Sequence, residues 1–94
     1  MARMLKADVI AYTNELIERY AYDCMKSHYH EAEGDLVKSR MYQDMSDGIM
    51  TSLIIFSGFS GQSAEALRRR AKDEAGKLMT DRMKEGRWPR RNIG

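Results

Sequence analysis

The chain has 94 residues, of which 43% are apolar and 32% charged, and its net charge at neutral pH is +2. This length corresponds to one small domain, and an apolar content of this size with nearly balanced charge excludes a disordered chain. The single cysteine excludes an intrachain disulfide. No apolar run approaches the roughly 20 residues that span a bilayer, and the opening residues lack a secretory signal. We therefore expect a cytoplasmic protein without a membrane segment.

The first predicted helix covers about residues 5–30. Apolar residues recur there in steps of three and four, at Leu5, Val9, Tyr12, Leu16, Tyr20 and Cys24. This spacing places them on one helix face, which further apolar residues widen. Gly34 suits the left-handed conformation that ends a helix, and Asp35 can cap the next one.

The second predicted helix covers about residues 35–56. Its apolar stripe consists of Val37, Met41, Met45, Ile49, Leu53 and Phe56. Asp47-Gly48 is a turn dipeptide inside this stripe, so two structures are open. Either one helix tolerates Gly48 at a cost of about 1 kcal/mol, or the helix stops at Ser46 and residues 49–56 form a buried strand. No other segment alternates with period two to pair with such a strand, which favours the continuous helix.

The third predicted helix covers about residues 63–85 and follows a glycine- and serine-rich break. Ser63 can cap this helix, its apolar face is rich in alanine, and a basic tail follows at 87–94. The three elements predict an all-α fold in one domain, 1–94: a long antiparallel helical hairpin with a third helix against it. The apolar faces of the first two helices are wider than one hairpin can cover, so we expect a homodimer to complete the core.

Two pairs of carboxylates have a spacing that suits metal chemistry. Glu15 and Glu18 lie three residues apart on the first helix, as do Asp44 and Asp47 on the second. Residues three apart share a helix face, so antiparallel helices can bring the pairs together around a hard cation such as Mg²⁺. The alternative is that all four are ordinary solvated carboxylates on exposed faces.

This order of acidic pairs resembles the all-α NTP pyrophosphohydrolases, the MazG-like family, in which a Glu-x-x-Glu helix precedes a Glu-x-x-Asp helix. The resemblance implies a magnesium-dependent hydrolase of nucleoside triphosphates with the four carboxylates as metal ligands. It also implies that Arg69 or Lys72 contacts phosphate. In this chain Asn14 stands where the family usually has another glutamate, Asp44 replaces a glutamate, and Gly48 replaces an aliphatic residue.

A second candidate metal site combines the only cysteine with nearby histidines. Cys24 and His28 are four residues apart on the first helix, a spacing that can place two ligands on one metal, and His30 follows closely. A structural zinc site needs four ligands, and no second ligand pair is present. Cys24 also lies on the apolar stripe, which favours a buried core thiol over a ligand or a nucleophile.

Positive charge is concentrated in the last third of the chain. Residues 62–94 hold ten Lys and Arg against five Asp and Glu, whereas residues 1–61 hold six against nine. Such a basic end can bind nucleic acid or a nucleotide by releasing counterions from phosphates, and Trp88 adds a ring that can stack on a base. The interleaved acids favour the alternative of a salt-bridged surface helix. Gly58-Phe-Ser-Gly61 has the outline of a KH-domain loop but lacks the strands of that fold.

The remaining hypothesis is a binding protein without catalysis. Tyrosines are concentrated in the first two helices and cannot all be buried in so small a core: Tyr12, Tyr20, Tyr22, Tyr29 and Tyr42. Tyrosine, tryptophan and arginine are typical interface anchors. We therefore predict a helical protein without a cofactor that regulates or inhibits a macromolecular partner, similar in size to virus-encoded inhibitors. Its predicted contacts are the five tyrosines together with Arg68, Arg69, Arg70, Trp88, Arg90 and Arg91.

Overall fold

The computed structural model describes residues 6–89, which form three helices. These are α1 (Lys6–Glu33), α2 (Leu36–Ser60) and α3 (Ala64–Lys84), and no strand occurs within this range. The all-α prediction is therefore confirmed. α2 runs without interruption through Gly48, so the alternative of a strand at 49–56 is wrong. None of the helices in this range is long and apolar enough to cross a membrane.

The helix ends follow from glycines and capping side chains. Gly34, with φ of 86°, ends α1, and the carboxylate of Asp35 accepts a hydrogen bond from the Lys38 N–H at 3.1 Å to start α2. α2 continues to Ser60 instead of ending near residue 56, and it stops where Gly61 adopts a left-handed φ of 71°. Ser63 caps α3 by accepting from the Ala66 N–H at 3.3 Å.

The three helices lie side by side in an elongated molecule of 59 × 25 × 20 Å. α2 packs against α1: Ser27 Oγ donates to the Ser39 carbonyl at 2.9 Å, and the ring centroids of Tyr12 and Phe56 lie 4.9 Å apart. α3 packs against α1 and, less extensively, against α2.

The apolar core lies mainly between α1 and α3. Its buried members are Leu16, Ile17, Tyr20, Ala21, Leu53, Leu67, Ala71 and Ala75. The alanine face predicted for the third helix is the face that packs here, where small side chains let α3 approach α1 closely. α2 contributes only Leu53 to this set, which is fully buried.

The inner face of α2 combines buried serines with the second half of the predicted apolar stripe. Ser39, Ser46 and Ser57 are buried beside Leu53, whereas Val37 is 82% exposed and Met41 and Met45 are about half exposed. The first half of the predicted apolar stripe is therefore not covered within residues 6–89. Serine can be buried cheaply in a helix because its hydroxyl bonds a nearby carbonyl, as Ser46 Oγ does with the Gln43 carbonyl at 2.8 Å.

Candidate functional site

A cleft lined by cations and aromatic rings lies where α1 passes the end of α3. Its walls are formed by Met25, Lys26, Tyr29, Arg82, Gly86, Arg87, Trp88 and Pro89. Gly86, with φ of 70°, turns the chain back after α3, and the Arg87 N–H donates to the Arg82 carbonyl at 2.9 Å. This glycine-dependent helix end directs Trp88 toward α1. The rings of Trp88 and Tyr29 meet edge to face with centroids 5.8 Å apart.

The ammonium group of Lys26 lies among aromatic rings at the edge of this cleft. Its Nζ is 5.1 Å from the ring centroid of Tyr29 and 5.8 Å from that of Tyr42. His30 stacks on Tyr42 with a centroid distance of 5.4 Å, and its Nδ1 lies 2.7 Å from Glu33 Oε1. Cation–π contacts of this kind hold a lysine in place without neutralising its charge. The cleft therefore combines a held cation with partly buried aromatic rings.

Arg82 provides a further positive charge in the cleft. Its Nε is buried and has no hydrogen-bond acceptor within residues 6–89. A buried donor left without an acceptor costs about 1–3 kcal/mol. Arg87, by contrast, is paired, with its Nε 2.9 Å from Glu85 Oε2. The arrangement suits an acidic group, because a carboxylate or phosphate can accept from the guanidinium and face Lys26.

The five predicted contact tyrosines do not form one surface. Tyr29 and Tyr42 belong to the aromatic cluster at the cleft, while Tyr12 and Tyr22 are half exposed elsewhere on α1. Tyr20 lies in the core, where burial raises the pKa of its hydroxyl. The prediction of Tyr20 as a partner contact is therefore wrong for the chain as folded here, because its ring already fills the space between α1 and its neighbours.

The predicted arginine cluster also divides between two sides of α3. Arg68 and Arg69 line a shallow concavity with Lys72 and two acidic residues. Arg70 points toward α1 instead, where its Nη2 donates to Asn14 Oδ1 at 2.5 Å. Arg90 and Arg91 lie outside the described residues. Among the contacts predicted for the basic end of the chain, Trp88 is the one that lines the cleft between α1 and the end of α3.

The four carboxylates of the predicted magnesium site are not gathered into one cluster. Glu15 and Glu18 line a groove between α1 and α2 that also contains Gly48. Asp44 faces Arg40 at 4.0 Å, and the charge of Asp47 acts on Tyr20 and Cys24. Within residues 6–89, no three His, Cys, Asp or Glu side chains are grouped as a metal site would require. The hydrolase stays a prediction that depends on the family resemblance alone.

Cys24 and the histidines are likewise separate. Burial raises the pKa of the Cys24 thiol, and a hydrogen bond with the Tyr20 hydroxyl acts in the opposite direction with a smaller effect. The thiol is therefore protonated at neutral pH, unlike a nucleophilic cysteine. His28 faces Glu31 at 3.8 Å, and His30 is engaged by Glu33 and by the ring of Tyr42.

The predicted contacts omitted two cations of the cleft, Arg82 and, beside the aromatic rings, Lys26. The spacing of three between Lys26 and Tyr29 places both on one face of α1, and this was a usable signal. The contact with Tyr42 depends on how the turn at Gly34 aligns the two helices, which the sequence pattern does not specify.

Comparison with known proteins gives no relative for this chain. No family model matches it, and no curated protein and no solved structure matches it either. The candidate site is therefore interpreted from its own geometry.

Proposed function

We propose that this protein is a small helical regulator or inhibitor that acts by binding a protein partner with an acidic surface. The observation that carries this proposal is the cleft in which Trp88, Tyr29 and Arg82 meet. Tryptophan, tyrosine and arginine are the residue types that dominate binding energies in protein interfaces. Here all three occur around one concave site, with the positive charge of Lys26 beside them.

In such a complex the aromatic and the cationic residues of the cleft contribute to binding in different ways. The ring of Trp88 supplies apolar contact area with little loss of side-chain freedom on binding, since Tyr29 already holds it. Lys26 and Arg82 attract an acidic group, which accelerates association and selects among partners. An incoming carboxylate also offers an acceptor to the guanidinium of Arg82.

The remaining predicted features extend the proposal. A homodimer in a reducing, cytoplasmic compartment fits a regulator of this size, and virus-encoded inhibitors of host enzymes are a protein class of similar dimensions. Tyr12 and Tyr22 are half exposed and stand as additional proposed contacts. No cofactor is needed for this activity.

The test is affinity capture from a cell lysate at physiological salt with matched variants. Wild-type protein and the control Ile10→Ala, which removes a half-exposed apolar side chain far from the cleft, are expected to retain the same stoichiometric protein. Trp88→Ala and Lys26→Glu are expected to lose it. Equal retention by all four proteins, or retention by none, contradicts the proposal.

A second candidate function is nucleic-acid or nucleotide binding by α3. The observation that favours it is the concavity in which Arg68, Arg69 and Lys72 lie together. Fluorescence anisotropy with a labelled single-stranded RNA and a labelled DNA duplex tests it. Binding that falls steeply with salt and is lost in Arg68→Glu/Arg69→Glu, but is kept in Trp88→Ala, would favour this function over the first.

A further inference from the structure

One face of α2 is apolar and is left uncovered by the rest of residues 6–89. Its large side chains are Val37, Met41, Met45, Ile55 and Phe59, and Gly48 and Ser52 lie between them. We propose that this face, the α2 seam, is covered by the α2 seam of a second copy of the chain. The two helices run antiparallel, and a two-fold axis passes beside Gly48. This inference rests on the homodimer included in the proposed function and supplies its contact surface.

The spacing of the seam is symmetric about Gly48. Val37 and Phe59 each lie 11 residues from Gly48, and Met41 and Ile55 each lie 7 residues from it. In a two-fold interface residue i of one copy contacts residue j of the other, and j contacts i. An antiparallel pair crossing at Gly48 therefore places Val37 opposite Phe59 and Met41 opposite Ile55 at both ends of the seam.

Gly48 is not required for packing among residues 6–89. A side chain placed there would meet none of their atoms within 4 Å. A glycine in the middle of a helix costs about 1 kcal/mol relative to alanine. At the crossing point of two helices, however, a missing side chain allows the backbones to approach closely.

The charges of α2 favour the antiparallel orientation. Lys38, Arg40, Asp44 and Asp47 all lie in its first half, and no ionisable residue occurs from Gly48 to Ala64. A parallel pair would place each of these charges beside the same charge of the other copy, which is unfavourable. An antiparallel pair places the charged half of one helix against the uncharged half of the other.

The exposed area of the seam approaches what a dimer requires. The fractional exposures of its five large side chains run from 48% for Met45 to 82% for Val37. Apolar and aromatic side chains of this size present about 150–200 Å² each when free, so the five leave roughly 600 Å² uncovered. The exposed ring of Tyr22 lies beside Met45 in the adjoining groove and adds to this area. A standard interface buries about 800 Å² on each partner.

The first test is a pair of glutamine substitutions compared by sedimentation equilibrium. Gly48→Gln puts a long polar side chain at the crossing point, and Gly76→Gln is the matched control in α3, where a side chain also meets no atom within 4 Å. Wild type and Gly76→Gln are expected to sediment as dimers, and Gly48→Gln as a monomer with at least a tenfold weaker self-association constant. Far-UV circular dichroism checks that all three remain helical. A monomeric wild type, or a dimer that persists in Gly48→Gln, would contradict the proposal that the α2 seam is a dimer interface.

The second test determines orientation by oxidative cross-linking in a Cys24→Ser background. Val37→Cys is expected to cross-link in a mixture with Phe59→Cys and not with itself, because a disulfide needs Cα atoms within about 7 Å. Self-linking by Val37→Cys would indicate a parallel pair and contradict the inference. A monomer that still captures its partner through Trp88 would overturn the seam alone, whereas a dimer that captures nothing would overturn only the binding cleft.

Discussion

The two helices that pack against α1 do so with opposite chemistry. α3 presents Leu67, Ala71 and Ala75 to α1, all of them buried and apolar. α2 presents buried serines and Leu53, with Ile49 and Met50 partly buried beside them, and leaves about half of its large apolar side chains exposed. The comparison shows that an apolar stripe indicates a buried face without specifying which molecule buries it. The α1–α3 contact is completed within the chain, and the apolar stripe of α2 is not.

The largest expected effect comes from removing the one leucine that joins α2 to the core. Leu53 is fully buried, so Leu53→Ala is expected to lower the free energy of unfolding by about 2–5 kcal/mol, through lost burial and the cavity left behind. Urea unfolding followed by circular dichroism measures this loss. Val37→Ala, measured at a protein concentration low enough to keep the chain monomeric, is the control and should change it by less than about 0.5 kcal/mol. Equal losses of unfolding free energy in the two variants would contradict the assignment of Leu53 to the buried face of α2 and Val37 to the exposed face.

A smaller loss is expected from enlarging the alanine face of α3. Ala71 is fully buried against the core, so Ala71→Leu should force α3 away from α1 and cost about 1–3 kcal/mol. Ala66→Leu adds the same side chain at an exposed position of α3 and should be nearly neutral. Thermal unfolding of both variants measures the difference. A stabilised Ala71→Leu would show that this contact is looser than its buried alanines indicate.

Removing the cap at the start of α2 is expected to have a moderate effect. Asp35→Ala deletes the acceptor for the Lys38 N–H and should cost about 1 kcal/mol. Ser63→Ala removes the corresponding acceptor in α3 and should cost a similar amount. Urea unfolding of the two variants compares the start of one helix with the start of the other. A loss below 0.3 kcal/mol for Asp35→Ala would indicate that the first turn of α2 contributes little to stability.

The smallest expected effect concerns a buried carboxyl group beside the α1–α2 groove. Burial raises the pKa of Asp23, and the nearby charge of Arg19 lowers it by less. A carboxyl whose folded pKa is raised contributes stability below its unfolded pKa of about 4, and this contribution is lost as the pH rises through the folded pKa. Asp23→Asn is therefore expected to be more stable than wild type at pH 7 and equally stable at pH 3. Unfolding curves at the two pH values test this. A variant that is less stable than wild type at pH 7 would contradict the expected stabilisation.

Much of the fold could be predicted from the sequence because its signals are local. Three-to-four spacing predicts all three helices, and the structure places their caps at Asp35 and Ser63, where hydroxyl and carboxylate groups precede apolar runs. The continuity of α2 through Gly48 was also predictable, since no partner for a strand exists. These features depend on residues within one or two helical turns.

The side of α2 that faces inward could not be predicted in the same way. It depends on how the turn at Gly34 rotates α2 against α1, and on the fact that buried serines can satisfy their hydroxyls within the helix. The cleft beside Trp88 was predicted only in part. Trp88, Tyr29 and Tyr42 were predicted contacts, and a glycine such as Gly86 is a recognised helix-end signal. Their meeting with Lys26 depends on the alignment of the helices, which has no sequence signature of its own.

The serine-lined inner face of α2 also bears on the motions of the molecule. The first half of α2, residues 36–48, buries serines and no large apolar side chain, so opening this half away from α1 should require less free energy than separating α1 from α3. Amide hydrogen exchange in α2 would then proceed through a partial opening that leaves α1 and α3 together. Any molecule that covers the outer face of α2 would slow this exchange, so the protection of its amides would report occupancy of that face.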